Sequence, residues 1–133
     1  MAGYVYLGLG SPAQVNYLTP EVRWNLITGS GSNPYAALDR FGRQTTCLWE
    51  PFGAGSSSSS SGGTSDLVHL TYGYDRDSNR IWRQDEVARS LAQNFDELYG
   101  YDTAQRLTDM ARGLLNGGHT GITSPQLEQT WEL

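Results

Sequence analysis

The chain has 133 residues, of which 38% are hydrophobic and only 17% charged, with 16 glycines and a net charge of −5. All 9 bases are arginine, and an acidic chain without lysine lacks the basic face that nucleic-acid backbones require. No apolar run reaches the roughly 18 residues of a membrane helix, residues 1–10 do not read as a signal peptide, and the lone Cys47 makes neither an internal disulfide nor a zinc site.

The N-terminal piece reads as short strands. Tyr4, Tyr6 and Leu9 lie around Gly8 and Gly10, and the run turns at Ser11-Pro12. Val22, Trp24 and Leu26 alternate with Arg23 and Asn25, the pattern of a half-buried strand. Residues 29–34 are a turn cluster. Thr45, Cys47 and Trp49 then share one face, opposite Gln44, Thr46 and Leu48.

Residues 53–65 (GAGSSSSSSGGTS) have neither charge nor apolar period and should be a flexible loop. They divide the chain into 1–52 and 66–133, each short for an independent core. The loop is therefore expected to join two parts of one sheet system.

Beyond it, Val68, Leu70, Tyr72 and Tyr74 alternate with His69, Thr71 and Gly73 as a strand. At 85–98 the period changes: Val87, Leu91, Phe95 and Leu98 form a helical stripe. Asp85 can cap this helix and pair with Arg89 one turn on. Residues 104–115 fit a helix through Leu107, Ala111 and Leu114, or a strand through Leu107, Asp109 and Ala111. Alternation resumes at 127–133.

One motif repeats. Tyr72-Gly73-Tyr74-Asp75 recurs as Tyr99-Gly100-Tyr101-Asp102, with Asn79-Arg80 behind the first aspartate and Arg106 behind the second. A degenerate copy runs through Leu38, Asp39, Gly42 and Arg43. Tyrosines at i and i+2 share a strand face. The aspartate can accept main-chain N–H bonds in a turn, and the arginine behind it, one strand later, can form a forked pair with such an acid. Ser78 and Gln105 stand where the turn calls for glycine, so they should either strain their turns at positive φ or use a different turn type.

These three copies resemble the YD-repeat of the RHS (rearrangement hot spot) family, whose pattern is Tyr-x-Tyr-Asp-x-x-Gly-(Asn)-Arg. The segment 106–131 is similar to spacers of large planctomycete-type RHS proteins. The resemblance implies a mainly β fold, of stacked antiparallel hairpins in an RHS/YD-repeat sheet with one short amphipathic helix. It makes 106–112 a return strand, and it makes 133 the position of the next motif tyrosine, so the array would be truncated at the start of a further repeat. It also implies a non-enzymatic structural segment of a large surface or secreted shell protein, with neighbouring repeats or copies of itself as partners.

Chemistry-bearing residues are sparse. His69 and His119 have no second ligand at metal spacing, and no cofactor or metal is expected. Asp75/Asp77 and Asp85/Glu86 read as turn residues and a helix cap rather than as calcium or acid–base pairs. Two other functions compete with the shell segment. Open edge strands would make a self-assembling subunit, and the four tryptophans with the tyrosines would suit a carbohydrate-binding module, though they equally form a cross-strand ladder.

Overall fold

The computed structural model describes residues 1–7, 10–27, 35–52 and 66–132. The protein is mainly β, an open antiparallel meander whose strands pair in chain order. They are β1 (Ala2–Leu7), β2 (Ser11–Tyr17), β3 (Val22–Asn25), β4 (Thr46–Pro51), β5 (Val68–Tyr74), β6 (Arg80–Asp85), β7 (Asp96–Tyr101), β8 (Leu107–Leu115) and β9 (Ile122–Thr130), with a short helix, α1 (Glu86–Ser90), between β6 and β7. The expected loop at 53–65, the turn cluster at 29–34, Gly8, Leu9 and Leu133 lie outside the described residues. Tertiary contacts group the chain into two units, Met1–Leu70 and Thr71–Leu133.

In the first unit the register sorts side chains by polarity. Tyr4 faces Val15, Val15 faces Trp24 and Trp24 faces Trp49, an apolar ladder across four strands. The Tyr17 and Trp49 rings stack with centroids 6.0 Å apart. The opposite face carries Asn16, Arg23 and Glu50 in one row and Gln14, Asn25 and Leu48 in the next. Buried Ala13, Val15, Leu26, Ala37 and Leu48 make its core. The strand read at 22–26 is β3, and the face assignment around Cys47 matches β4. The sequence reading missed β2, because Ser11-Pro12 looks like a turn but opens an edge-proximal strand.

In the second unit the rows are Trp82–Leu98–Ala111–Glu128 and Arg83–Glu97–Arg112–Leu127. The 104–115 ambiguity resolves as strand, since β8 pairs on both sides. The helix expected over 85–98 is corrected to Glu86–Ser90. Asp85 is its N-cap and accepts from the Ala88 amide, as expected. Past Leu91 the backbone reverses, with Ala92 at φ 56°, and the Leu98 that completed the helical stripe instead sits opposite Trp82. A cross-strand partner outweighs local helical periodicity here. Arg89 does not pair with Asp85; it reaches Asp96.

Glycine is required where the repeat has Tyr-Gly-Tyr. A Cβ on Gly73 would lie 2.0 Å from Trp82 Nε1, and one on Gly100 would lie 2.1 Å from Asp109 Oδ2. In both copies a side chain occupies the space beside the glycine on the face opposite the tyrosines, where any other residue would displace it.

Candidate functional site

The repeat motifs converge on one local device. In the first copy the Asp39 amide donates to the Arg43 carbonyl at 2.9 Å, and the Gly42 amide donates to the Asp39 carbonyl at 2.9 Å. The second copy has the same two bonds from Asp75 and Ser78, at 3.0 and 3.4 Å, and the third has them from Asp102 and Gln105, both at 3.0 Å. This is a three-residue hairpin loop, a type I turn closed by a left-handed residue. That residue is Gly42 at φ 76°, Ser78 at φ 72° and Gln105 at φ 64°. Ser78 and Gln105 therefore keep the turn type, at positive φ.

Each aspartate also fills the loop with its carboxylate. Asp39 Oδ1 accepts from the amides of Phe41 and Arg43 at 2.8 and 2.9 Å. Asp75 Oδ1 accepts from Asp77 and Asn79 at 2.9 and 2.8 Å. Asp102 Oδ1 accepts from Ala104 and Arg106, both at 2.9 Å. The other oxygen takes the side chain that closes the turn: Arg43 Nε at 2.6 Å, Asn79 Nδ2 at 2.8 Å and Arg106 Nε at 2.7 Å. Aspartate suits the position because one short carboxylate reaches amides two and four residues on.

Two expectations about the arginines are corrected. The partner lies four residues after the aspartate, inside the turn, and not one strand later. In the second copy Asn79 takes that place, and Arg80 sits instead over the Tyr72 ring, 4.4 Å from its centroid. The Arg80 carbonyl accepts from the Tyr101 hydroxyl at 2.9 Å, which ties the third copy's tyrosine to β6. The last two turns also touch directly. Gln105 accepts from Asn79 Nδ2 and donates from Nε2 to Asp77 Oδ2 at 3.2 Å.

These bonds set the carboxylates' acidity. Desolvation pushes Asp39 up, but bonds from the Arg43 amide and side chain and from the Phe41 amide outweigh it and hold the group below its ordinary value. Asp102 is held low first by the Arg106 amide, then by the Arg106 side chain and the Ala104 amide, against partial desolvation.

Tyr99 continues the motif into a second arrangement that sequence reasoning missed. Its hydroxyl donates to Glu97, which is nearly buried and also accepts from Arg112 Nη2 at 2.6 Å. Arg83 Nε lies 3.1 Å from the other Glu97 oxygen. Burial raises the Glu97 carboxyl, yet the Tyr99 hydroxyl and the two guanidinium groups bring it below the ordinary range. Tyr99 is pushed up to about 12, by burial and then by the Glu97 carboxylate. On the first unit's polar face, Glu50 accepts from Arg23 Nε at 2.6 Å and Asn25 Nδ2 at 2.9 Å. Each Glu faces its arginine in strand register, so an Arg/Glu alternation at cross-strand spacing was the available signal.

The histidines are engaged in structure. His69 Nδ1 lies 3.1 Å from Asp66 Oδ2. His119 stacks on Trp82, with centroids 4.0 Å apart, and its Nε2 is 3.0 Å from Gln84 Oε1. It also stands at φ 54° in a fourth, related turn, where Asn116 Oδ1 accepts from the Thr120 amide at 3.0 Å. Among the described residues no three His, Cys, Asp or Glu side chains cluster as metal ligands. A shallow depression of about 460 Å³ lies over the first turn, lined by Leu7, Tyr35, Leu38, Asp39, Arg40 and Gly42.

Comparison with protein-family models, curated proteins and solved structures found no match.

Proposed function

We propose that the chain is a non-enzymatic structural segment of a large RHS/YD-type surface or secreted shell protein. The reading rests on the resemblance of the motifs, and one observation supports it best. Three separate aspartates make the same turn with the same main-chain bonds, although the residues around them differ. Chemistry needs one exact constellation in one place, whereas a scaffold needs one local solution used many times. In these turns the aspartate carboxylates are spent on main-chain amides and on the closing Arg or Asn side chain, which suits a load-carrying sheet.

The test is to lengthen the array. Duplicating residues 71–132 in tandem at the C-terminal side should raise the urea midpoint and the m-value together, because stacked repeats stabilise one another. Two copies that unfold independently at the parent's midpoint would identify a self-contained domain instead.

A further inference from the structure

The turn between β8 and β9 departs from the three aspartate turns at its first residue. Asn116 stands in the aspartate's place. Its carbonyl accepts from the His119 amide at 3.0 Å, and its Oδ1 accepts from the Thr120 amide, four residues on, at 3.0 Å. Asp39, Asp75 and Asp102 make the same two bonds in their own turns. The Asn116 amide nitrogen adds one more, donating to Thr120 Oγ1 at 3.2 Å.

Gly117 follows, and no other asparagine of the chain precedes a glycine. The two bonds to Thr120 fold the Asn116 amide back across the loop, where the main chain comes close to it. A Cβ on Gly121 would lie 3.2 Å from Nδ2, and one on Gly118 would lie 3.8 Å from Oδ1. Gly117 and Gly118 are exposed, so water has access to the amide. Among the described residues the Gly117 N–H has no hydrogen-bond acceptor, so its nitrogen is free to react. Other asparagines are differently placed. Asn25 is buried and bonded to Glu50 and to the Ile27 amide, while Asn79 precedes Arg80 and is bonded to Asp75 and Gln105.

We propose that Asn116-Gly117 is a self-modifying site that loses ammonia through a cyclic imide. Hydroxide takes the Gly117 amide proton, and the nitrogen left behind attacks Asn116 Cγ. The new N–C bond closes a succinimide ring as the bond from Cγ to Nδ2 breaks, and the leaving nitrogen departs as ammonia with a proton from water. The Thr120 N–H already donates to the oxygen on which negative charge develops, and so stabilises ring closure. Water then opens the ring at either carbonyl. Opening at Cγ gives aspartate, and opening at the main-chain carbon gives isoaspartate. In sum one water is consumed and one ammonia released, with no change of oxidation state. The site does not depend on the shell reading.

The two products act differently on the fold. Aspartate makes this turn chemically like the other three, with its carboxylate still accepting from the Thr120 amide. Isoaspartate lengthens the main chain by one carbon and displaces the carbonyl that holds the His119 amide. That loosens His119 from Trp82, on which it stacks with centroids 4.0 Å apart.

The intact folded chain is incubated in heavy-oxygen water at mildly alkaline pH, digested at acidic pH and mapped by mass spectrometry. Aspartate and isoaspartate should both appear at position 116, each with one heavy oxygen, while Asn25 and Asn79 stay amides. Near-ultraviolet dichroism from Trp82 should fade in step with isoaspartate content, and the Asn116→Asp chain should keep it. Gly117→Ala puts its Cβ in open space and preserves the turn. It should slow conversion about tenfold, because a Cβ restricts the main-chain angles that ring closure needs. An Asn116 that persists in the folded chain but converts in urea would overturn the proposal, since the turn would then protect it. Aspartate without isoaspartate, or a rate indifferent to Gly117→Ala, would overturn it as well, since neither passes through the imide.

Discussion

The Arg89 guanidinium donates to Asp96 Oδ2 at 2.9 Å, and the Asp96 side chain is completely buried. The same carboxylate accepts from the amides of Asp85 at 2.9 Å and Leu115 at 3.0 Å, and Arg89 Nη2 donates onward to the Leu115 carbonyl at 2.7 Å. One side chain thus fastens the end of β6, the helix α1 and the end of β8. A fully buried carboxylate is tolerable here because each oxygen is occupied.

Removing that carboxylate should cost more than any turn substitution. Asp96→Ala leaves the Arg89 Nε and two amides without an acceptor, a loss of roughly 3–5 kcal/mol. Asp96→Asn keeps one good acceptor and should cost less. Urea unfolding at neutral pH orders the two.

The turns predict substitutions of graded cost. Gly42→Ala places a Cβ in open space at φ 76°, so only backbone strain is added, about 1 kcal/mol of destabilisation. Gln105 already bears that strain and offsets part of it through Asn79 and Asp77. Gln105→Ala should therefore lower stability by roughly 0.5–1 kcal/mol, while Gln105→Gly should return close to the parent because relief of strain replaces the lost bonds. The order of the three midpoints in one denaturant series checks this.

The glycine beside Trp82 should resist substitution. Gly73→Ala forces Trp82 off the sheet and away from His119, at a cost of roughly 1–3 kcal/mol. Near-ultraviolet dichroism should lose intensity from Trp82 with far-ultraviolet dichroism unchanged.

Stability should fall at both ends of the pH scale, for different groups. Asp39 and Asp102 are more acidic when folded than their ordinary 3.8, so on acidification the unfolded chain takes up protons first. Their contribution is present above that ordinary value and is lost as pH drops through the lower folded values. Tyr99 works in the other direction. The unfolded phenol loses its proton near 10 and the folded one near about 12, so its contribution is intact below 10 and disappears as pH rises through that interval. Unfolding midpoints across pH, with phenolate absorbance at the alkaline end, follow both. Asp102→Asn should flatten part of the acid limb, and Tyr99→Phe should flatten part of the alkaline one.

The aspartate turns were legible in the sequence because all their bonds span at most four residues. An aspartate, a left-handed residue three places on and a closing Arg or Asn determine the loop wherever they occur. Strand alternation at Val22 and Val68 was equally readable, since period 2 is written along a single strand, whereas at Leu107 the local pattern fitted a helix as well. Tertiary pairing decided the rest. Asp96 draws its partners from 7, 11 and 19 residues away, and Arg83, Glu97 and Arg112 meet only because three strands align in register. Leu98 left the helical pattern for the same reason. A residue's neighbours along the chain specify its turn, but its burial and charge partners depend on which strand lies beside it.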